Sequence, residues 1–260
     1  QADVVVLVGM GLESSVDAAL RKRPRPYRHE ARLGVILGLE DAHGGHGHDH
    51  HAHDAHAHDA HAHDAHAHDA HAHDDHADHD HDHHDHSEHA HAIDPHVWLD
   101  PILVKQFLPE IARLVRVSVS ESNLGDAEAI APALASLLSR VDEVDGTYRR
   151  DLSPIAGRAI VTHHAAFGRL AERYGLRVVE VIRPVEGAEP TPANLAQVTD
   201  AISREGVRAI FVEPQFDARG AVLIAQRAGV RLGTLDPLGT GDWFAMMEAN
   251  LLSLVSNLSD

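Results

Sequence analysis

The sequence predicts an α/β fold in two segments, with one long helix between them and a histidine-rich insertion in the first. Three observations carry that reading. Short apolar runs at residues 159–162, 177–182, 207–212 and 230–235 alternate with stretches of helical length, the pattern of a parallel sheet covered on both faces. A fifth run, Asp3-Val-Val-Val-Leu-Val8, opens the chain as a buried strand and is closed by Gly9 and Gly11. Between the two segments, Ile130, Leu134, Leu137, Leu138, Val141 and Val144 recur at the spacing of one helical face. The helix they predict, over residues 127–150, is long enough to connect two bodies.

Taken in order, the first strand leads to a helix over 12–20. An exposed basic turn at 21–28 follows, marked by Pro24 and Pro26, and then a second short apolar stretch at 32–39. A loop from Ile93 to Pro101 enters an amphipathic helix over 103–117. Beyond the connecting helix, helices are expected over 165–174, 192–205, 218–228 and 242–257. The divisions are therefore 1–126, 127–150 and 151–260. A chain that begins so close to a core strand carries the expectation that further residues precede it.

The insertion, from His43 to His91, holds 22 of the 26 histidines, and the pentad His-Ala-His-Asp-Ala repeats from His51 to Ala70. It has no Val, Leu, Ile or aromatic residue. It therefore buries too little to offset the entropy of ordering, and residues 41–92 are expected to be disordered without metal. Imidazole and carboxylate are nitrogen and oxygen donors suited to Zn²⁺, with Cu²⁺ and Ni²⁺ as competitors. His51, His53, His56, His58, His61 and His63 are auxiliary candidates, because a dense array recaptures an ion that any one ligand releases. The plain alternative is a solvated linker or a purification tag, but a tag would be a uniform run at a terminus. Only neutral imidazoles ligate, so capture by the tract should fade as pH falls through ~6.5.

Charge and composition exclude several classes. The net charge of −18 falls mostly on the tract, where 13 acidic residues lie between Asp41 and Glu88 without Lys or Arg. The remainder carries 27 acidic and 22 basic residues, a net of −5, with no basic stripe for nucleic acid. The absence of cysteine excludes disulfides, thiolate zinc sites and a cysteine nucleophile. No apolar run approaches the ~20 residues that cross a bilayer, so membrane insertion is not expected.

In a parallel sheet, ligands collect at the carboxyl ends of the strands. His163 and His164 follow the first strand of the second segment, Glu213 the third and Asp236 the fourth; His96 sits in the Asp-Pro-His loop outside that sheet. Two histidines and a carboxylate from separate loops make a zinc site at ~2.0–2.2 Å. Singly, each has a plainer role, a histidine as a helix cap and an Asp before Pro as a turn former. His163 and His164 compete for one place, and spacing does not choose between them. Glu213 competes with Asp236, though Pro214 beside it also suits a rigid turn. Trp98 and Trp243 read as core or interface packing. Gly9 and Gly11 give only a fragment of a dinucleotide fingerprint, which sets a nucleotide role aside.

Five stretches together resemble a known family. Ala2-Asp-Val-Val-Val-Leu-Val-Gly-Met-Gly-Leu-Glu13, Asp94-Pro-His-Val-Trp-Leu-Asp100, Val161-Thr-His-His-Ala-Ala-Phe-Gly168, Phe211-Val-Glu-Pro-Gln-Phe216 and Leu235-Asp-Pro-Leu238 resemble, in that order, the zinc- and manganese-binding solute receptors of bacterial ABC importers. The resemblance covers nearly all of the chain outside the tract, and the insertion before the Asp-Pro-His loop points to the zinc branch. It implies two α/β lobes joined by one long rigid helix, with the metal in the cleft between them. It places His96, His164 and Asp236 at the second, third and fourth ligand positions, His163 in a neighbouring non-ligand place, and Glu213 outside the usual ligand set. Manganese receptors typically carry Glu at the third position, so His164 favours Zn²⁺ over Mn²⁺.

The family's first histidine ligand, in a Pro-rich loop, lies upstream of Gln1. The amino-terminal lobe is thus expected to be incomplete, in a fragment of a longer secreted precursor. Water or a tract histidine would then take the fourth place on the ion. The implied function is periplasmic or extracytoplasmic capture of Zn²⁺ by a monomer that delivers it to an ABC permease, with the tract as antenna, reserve or sensor and no catalysis. The rivals are a zinc hydrolase, with Glu213 as its base, and a periplasmic metal buffer with an inert α/β body.

Overall fold

The computed structural model describes residues 2–22, 29–40, 94–123, 125–184 and 190–260. The tract and its histidines, and most of the expected basic turn, lie outside the described residues. The chain on either side of the tract, Gln1–Ala42 with Ile93–Asp260, forms one unit.

The larger sheet is built from β3 (Ala159–Thr162), β4 (Arg177–Val181), β5 (Ala209–Val212) and β6 (Arg231–Thr234), all parallel in the order β4-β3-β5-β6. Every residue of β3 and β5 is buried, as the continuous runs Ala-Ile-Val-Thr and Ala-Ile-Phe-Val require of central parallel strands. Alternate side chains face opposite layers. Ile160 and Phe211 join one core with α4 (Ile130–Leu152), α5 (Gly168–Arg173) and α8 (Trp243–Leu258), while Ala159, Val161, Ile210 and Val212 pack on α6 (Pro192–Glu205) and α7 (Arg219–Ala228).

The smaller sheet pairs β1 (Val4–Leu7) with β2 (His29–Arg32) in parallel, Val4 opposite His29 and Leu7 opposite Arg32. α1 (Ser14–Lys22) lies between them in sequence, and α2 (Leu33–Ile36) follows β2 directly. Leu33 packs with Val97 and with Val104 and Phe107 of α3 (Pro101–Ser122) in a separate core that also takes Val141 of α4. Seven residues further along α4, Tyr148 and its neighbour Leu152 enter the core of the larger sheet. One helix of 23 residues, ~34 Å long, thus supplies both cores. The architecture is two parallel-sheet lobes joined by a long helix, as expected. Trp98 and Trp243 touch both cores, which is the packing role the sequence suggested.

Three elements depart from expectation. β2 spells His-Glu-Ala-Arg, a polar strand with no apolar alternation, and it exists through its ladder to β1. α3 extends past both ends of the expected 103–117. Asp100 caps its start, accepting from the backbone N–H of Ile102 at 2.9 Å, and Asn123 ends it in a left-handed conformation. α5 starts at Gly168 rather than Ala165, because the residues after β3 form a turn in which Ala166 N–H bonds the His164 carbonyl at 2.9 Å.

Candidate metal centre

The chain leaves β3 for β4 on one side and later returns to β5 on the other, so the crevice outside the ends of β3 and β5 is the switch point where parallel sheets take ligands. Thr162 pairs with Phe211 in the ladder, which brings the two loops that follow side by side. Glu213, only 2% exposed, uses Oε1 to accept the backbone N–H of His164 at 3.1 Å and its ring Nδ1–H at 2.5 Å. The Thr162 hydroxyl donates to the His164 carbonyl at 3.0 Å and steadies the same turn. His163 is buried, with its ring 4.9 Å from that of Phe216, and the His164 ring lies 5.8 Å from the same Phe216 ring. The contacts thus tell the two candidates apart: His164 meets Glu213 and His96, whereas His163 packs against Phe216.

His96 approaches from the loop before α3. Asp94 Oδ1 accepts both the backbone N–H of His96 at 2.9 Å and its ring Nδ1–H at 2.7 Å. The two half-buried imidazoles meet with His96 Nε2 and His164 Nε2 3.3 Å apart. A carboxylate can only accept, so each ring carries its proton on Nδ1 and, when neutral, presents a lone pair on Nε2. Two nitrogens bound at ~2.05 Å to one tetrahedral ion lie ~3.3 Å apart. The pair therefore stands at the spacing that two ligands of a single zinc ion require.

Asp236 lies just beyond β6. Its Oδ1 accepts from Gln215 Nε2 at 2.7 Å and from the backbone N–H groups of Leu238 and Gly239 at 3.0 Å each. Burial opposes its charge, but Gln215 and the two N–H groups prevail and hold the carboxyl below its ordinary range. Among the described residues, no three His, Asp or Glu side chains converge closely enough to hold an ion. The structure brings His96 and His164 together, sets Asp94 and Glu213 behind them, and leaves Asp236 bonded to Gln215 of the loop after β5 and to backbone N–H groups of its own loop. That loop is tied to the loop of His96: Trp98 Nε1–H donates to the Pro237 carbonyl and Trp243 Nε1–H to the Trp98 carbonyl, both at 2.7 Å.

The profile of the ZnuA family, described as zinc-uptake complex component A, periplasmic, matches residues 1–257. The chain belongs to this family. Zinc-binding protein AdcA of Streptococcus pyogenes is 32% identical over 172 residues, covering 63% of this chain and 33% of AdcA. The high-affinity zinc uptake system protein ZnuA of Paracoccus denitrificans is 31% identical over 149 residues, covering 57% of this chain and 44% of that protein. The chain thus spans a third to under half of the length of these curated relatives. A crystal structure of ZnuA overlays with a TM-score of 0.56 at 27% identity, covering 64% of this chain and 63% of that one. Zn(II)-bound AdcA from Streptococcus pneumoniae shares the fold, with a TM-score of 0.65 at 20% identity over all of this chain and 48% of AdcA.

In this ZnuA-family chain the sequence reading missed the carboxylates as orienting groups. Asp94 was legible in principle, since an Asp two residues before a histidine can reach both its backbone and its ring. Glu213, which the sequence offers as a competing ligand, lies behind His164. No local signal marks that contact, because the two residues are 49 positions apart. None of the described helices is long and apolar enough to cross a membrane.

Proposed function

We propose that this chain captures Zn²⁺ outside the cytoplasm, as a monomer, and hands it to an ABC-type permease. His96 and His164 bind the ion through Nε2. Asp236 supplies a carboxylate from the loop that Trp98 and Pro237 tie to the loop of His96. Residues 1–126 and 151–260 form the two metal-binding lobes and 127–150 the link, while the tract at 41–92 gathers ions as antenna, reserve or sensor. The observation that carries this reading is the Nε2 pair at 3.3 Å, each ring fixed by its own carboxylate. An imidazole pair also favours Zn²⁺ over Mn²⁺.

A hydrolase would need a base able to take a proton from an attacking water. Glu213 is buried and commits Oε1 to His164, so it does not serve as that base. The matched relatives named above are likewise binding and uptake proteins.

The test is zinc affinity and stoichiometry by competition with a chelator. Three forms of the full chain are compared: unaltered, His164→Ala, and one with every tract histidine replaced by glutamine. Capture at the lobes predicts that His164→Ala loses the tight site, whereas the glutamine variant keeps one tight ion and loses only weaker capacity. The opposite pattern would make the body inert and the protein a buffer.

A further inference from the structure

The two metal-facing histidines lie 68 positions apart and belong to different lobes, and their Nε2 atoms stand 3.3 Å apart. Contacts between the two loops set that distance. α5 is a helix of six residues whose preceding turn carries His164, and two arginines one turn apart on it reach across to the loop of His96. Arg169 donates from Nε and Nη2 to a single acceptor, the Asp94 carbonyl, at 3.0 and 2.8 Å, and its Nε also lies 3.8 Å from Asp94 Oδ2. Asp94 Oδ1 is the atom that orients His96. Arg173 forms an ion pair with Asp100, the nearly buried residue that caps α3. The loop from Asp94 to Asp100 is therefore gripped at both ends by one helix, and the turn that leads into that helix carries His164.

We infer that Arg169 and Arg173 are positioning residues that fix the His96 loop against His164 and so preset the spacing of the metal pair. The inference rests on the proposed zinc site and names the residues that build it. Both guanidinium side chains are about three-quarters shielded from water, which favours a fixed geometry over a transient surface pair. The chemistry is specific to arginine. A planar fork presents two N–H groups to one carbonyl, which the point charge of a lysine does not reproduce. If the grip is lost, the loop must be ordered when the ion arrives, and affinity falls by the cost of that ordering.

The experiment uses the full chain with Arg169→Ala, Arg169→Lys, Tyr174→Phe and His164→Ala. Tyr174→Phe removes the hydroxyl bond to Asp145 Oδ1 at 3.0 Å, at the other end of α5, and serves as a control for stability alone. Three quantities are read: Zn²⁺ affinity by chelator competition, the visible absorption of bound Co²⁺ as a report of ligand geometry, and the melting temperature of the metal-free protein. Outer residues that orient ligands typically change metal affinity by ~10–100-fold. The expected result is weakening in that range for Arg169→Ala, with an altered cobalt band and little rescue by lysine, while Tyr174→Phe lowers the melting temperature and leaves affinity unchanged. Arg169→Lys carries the same test where the alanine variant does not fold.

Unaltered affinity and cobalt band in the Arg169 variants overturn the inference. So does an equal loss of affinity in Tyr174→Phe, which would trace the effect to stability. Loss of the tight site in His164→Ala with none in Arg169→Ala sinks the positioning role alone. No loss in His164→Ala removes the site itself.

Discussion

Replacing Glu213 by Gln tests the carboxylate behind His164 most directly, because the two side chains have nearly the same shape. Glu213 is 2% exposed, and its Oε1 takes the ring Nδ1–H at 2.5 Å and the backbone N–H at 3.1 Å. A hydrogen bond to a charged group contributes ~1.5–3 kcal/mol and a neutral one ~0.5–1.5, so the change removes about 1–1.5 kcal/mol from the ring contact. An ion on Nε2 draws electrons from the ring and strengthens the Nδ1–H donor, so much of that loss falls on the bound state. The resulting weakening of zinc binding is about tenfold. Stability falls as well. Oε2 is buried without a hydrogen-bond partner among the described residues, and an amide NH₂ placed there costs ~1–3 kcal/mol. Chelator competition reads the first effect and melting of the metal-free protein the second. Affinity within about twofold of the unaltered chain, below ~0.5 kcal/mol, would refute an orienting role for Glu213.

Two further outcomes follow from the lobes and the loop of Asp236. A methyl group at Gly233 would lie 2.6 and 2.8 Å from the ring of Phe211, itself locked in the core, so Gly233→Ala overpacks the sheet. It should cost ~1–3 kcal/mol, a fall of ~2–10 °C in melting temperature, and an unchanged temperature would show that the ring yields freely. Asp236 has its carboxyl held below the ordinary value of 3.8, so its contribution to stability is present above that pH and is lost as pH falls through the lower folded-state value. Asp236→Asn should therefore melt earlier than the unaltered chain at neutral pH and converge with it in acid; a gap that does not change with pH would contradict this.

The elements that were legible are those whose signal is local. Ala159–Thr162 was read to the residue, because a short β-branched run between a glycine turn and a histidine pair has few other uses. The helices α4, α6 and α8 carried their own periodicity and lay within a few residues of expectation. β2 was illegible because His29–Arg32 is a strand only by virtue of Val4–Leu7 beside it. The far end of α3 was missed because Ser118–Ser122 is polar and weakly helical, and its stop lies in the backbone of Asn123 rather than in a glycine or proline. At the site, the candidate ligands were legible as residue types at strand ends. What holds them was not: Arg169 acts on Asp94 across 75 positions and Glu213 on His164 across 49, and only the folded sheet brings such pairs together.

The charge inventory of the crevice explains why a dication suits it. Asp94 has Arg169 within 3.8 Å and Asp100 has Arg173, so the carboxylates on the His96 loop are each matched by a guanidinium. Glu213 is not. Among the described residues its ion-pair partner within 4.0 Å is the imidazole of His164, which is charged only when protonated. A buried carboxylate without a cation is costly. A metal ion on Nε2 of His164 relieves that cost. The ion uses the Nε2 lone pair while Glu213 holds the Nδ1–H of the same ring, so the carboxylate favours the metal-bound state through that ring. The arginines on α5 neutralise the neighbouring loop, which leaves Glu213, behind His164, as the carboxylate whose charge a metal ion on that ring would offset.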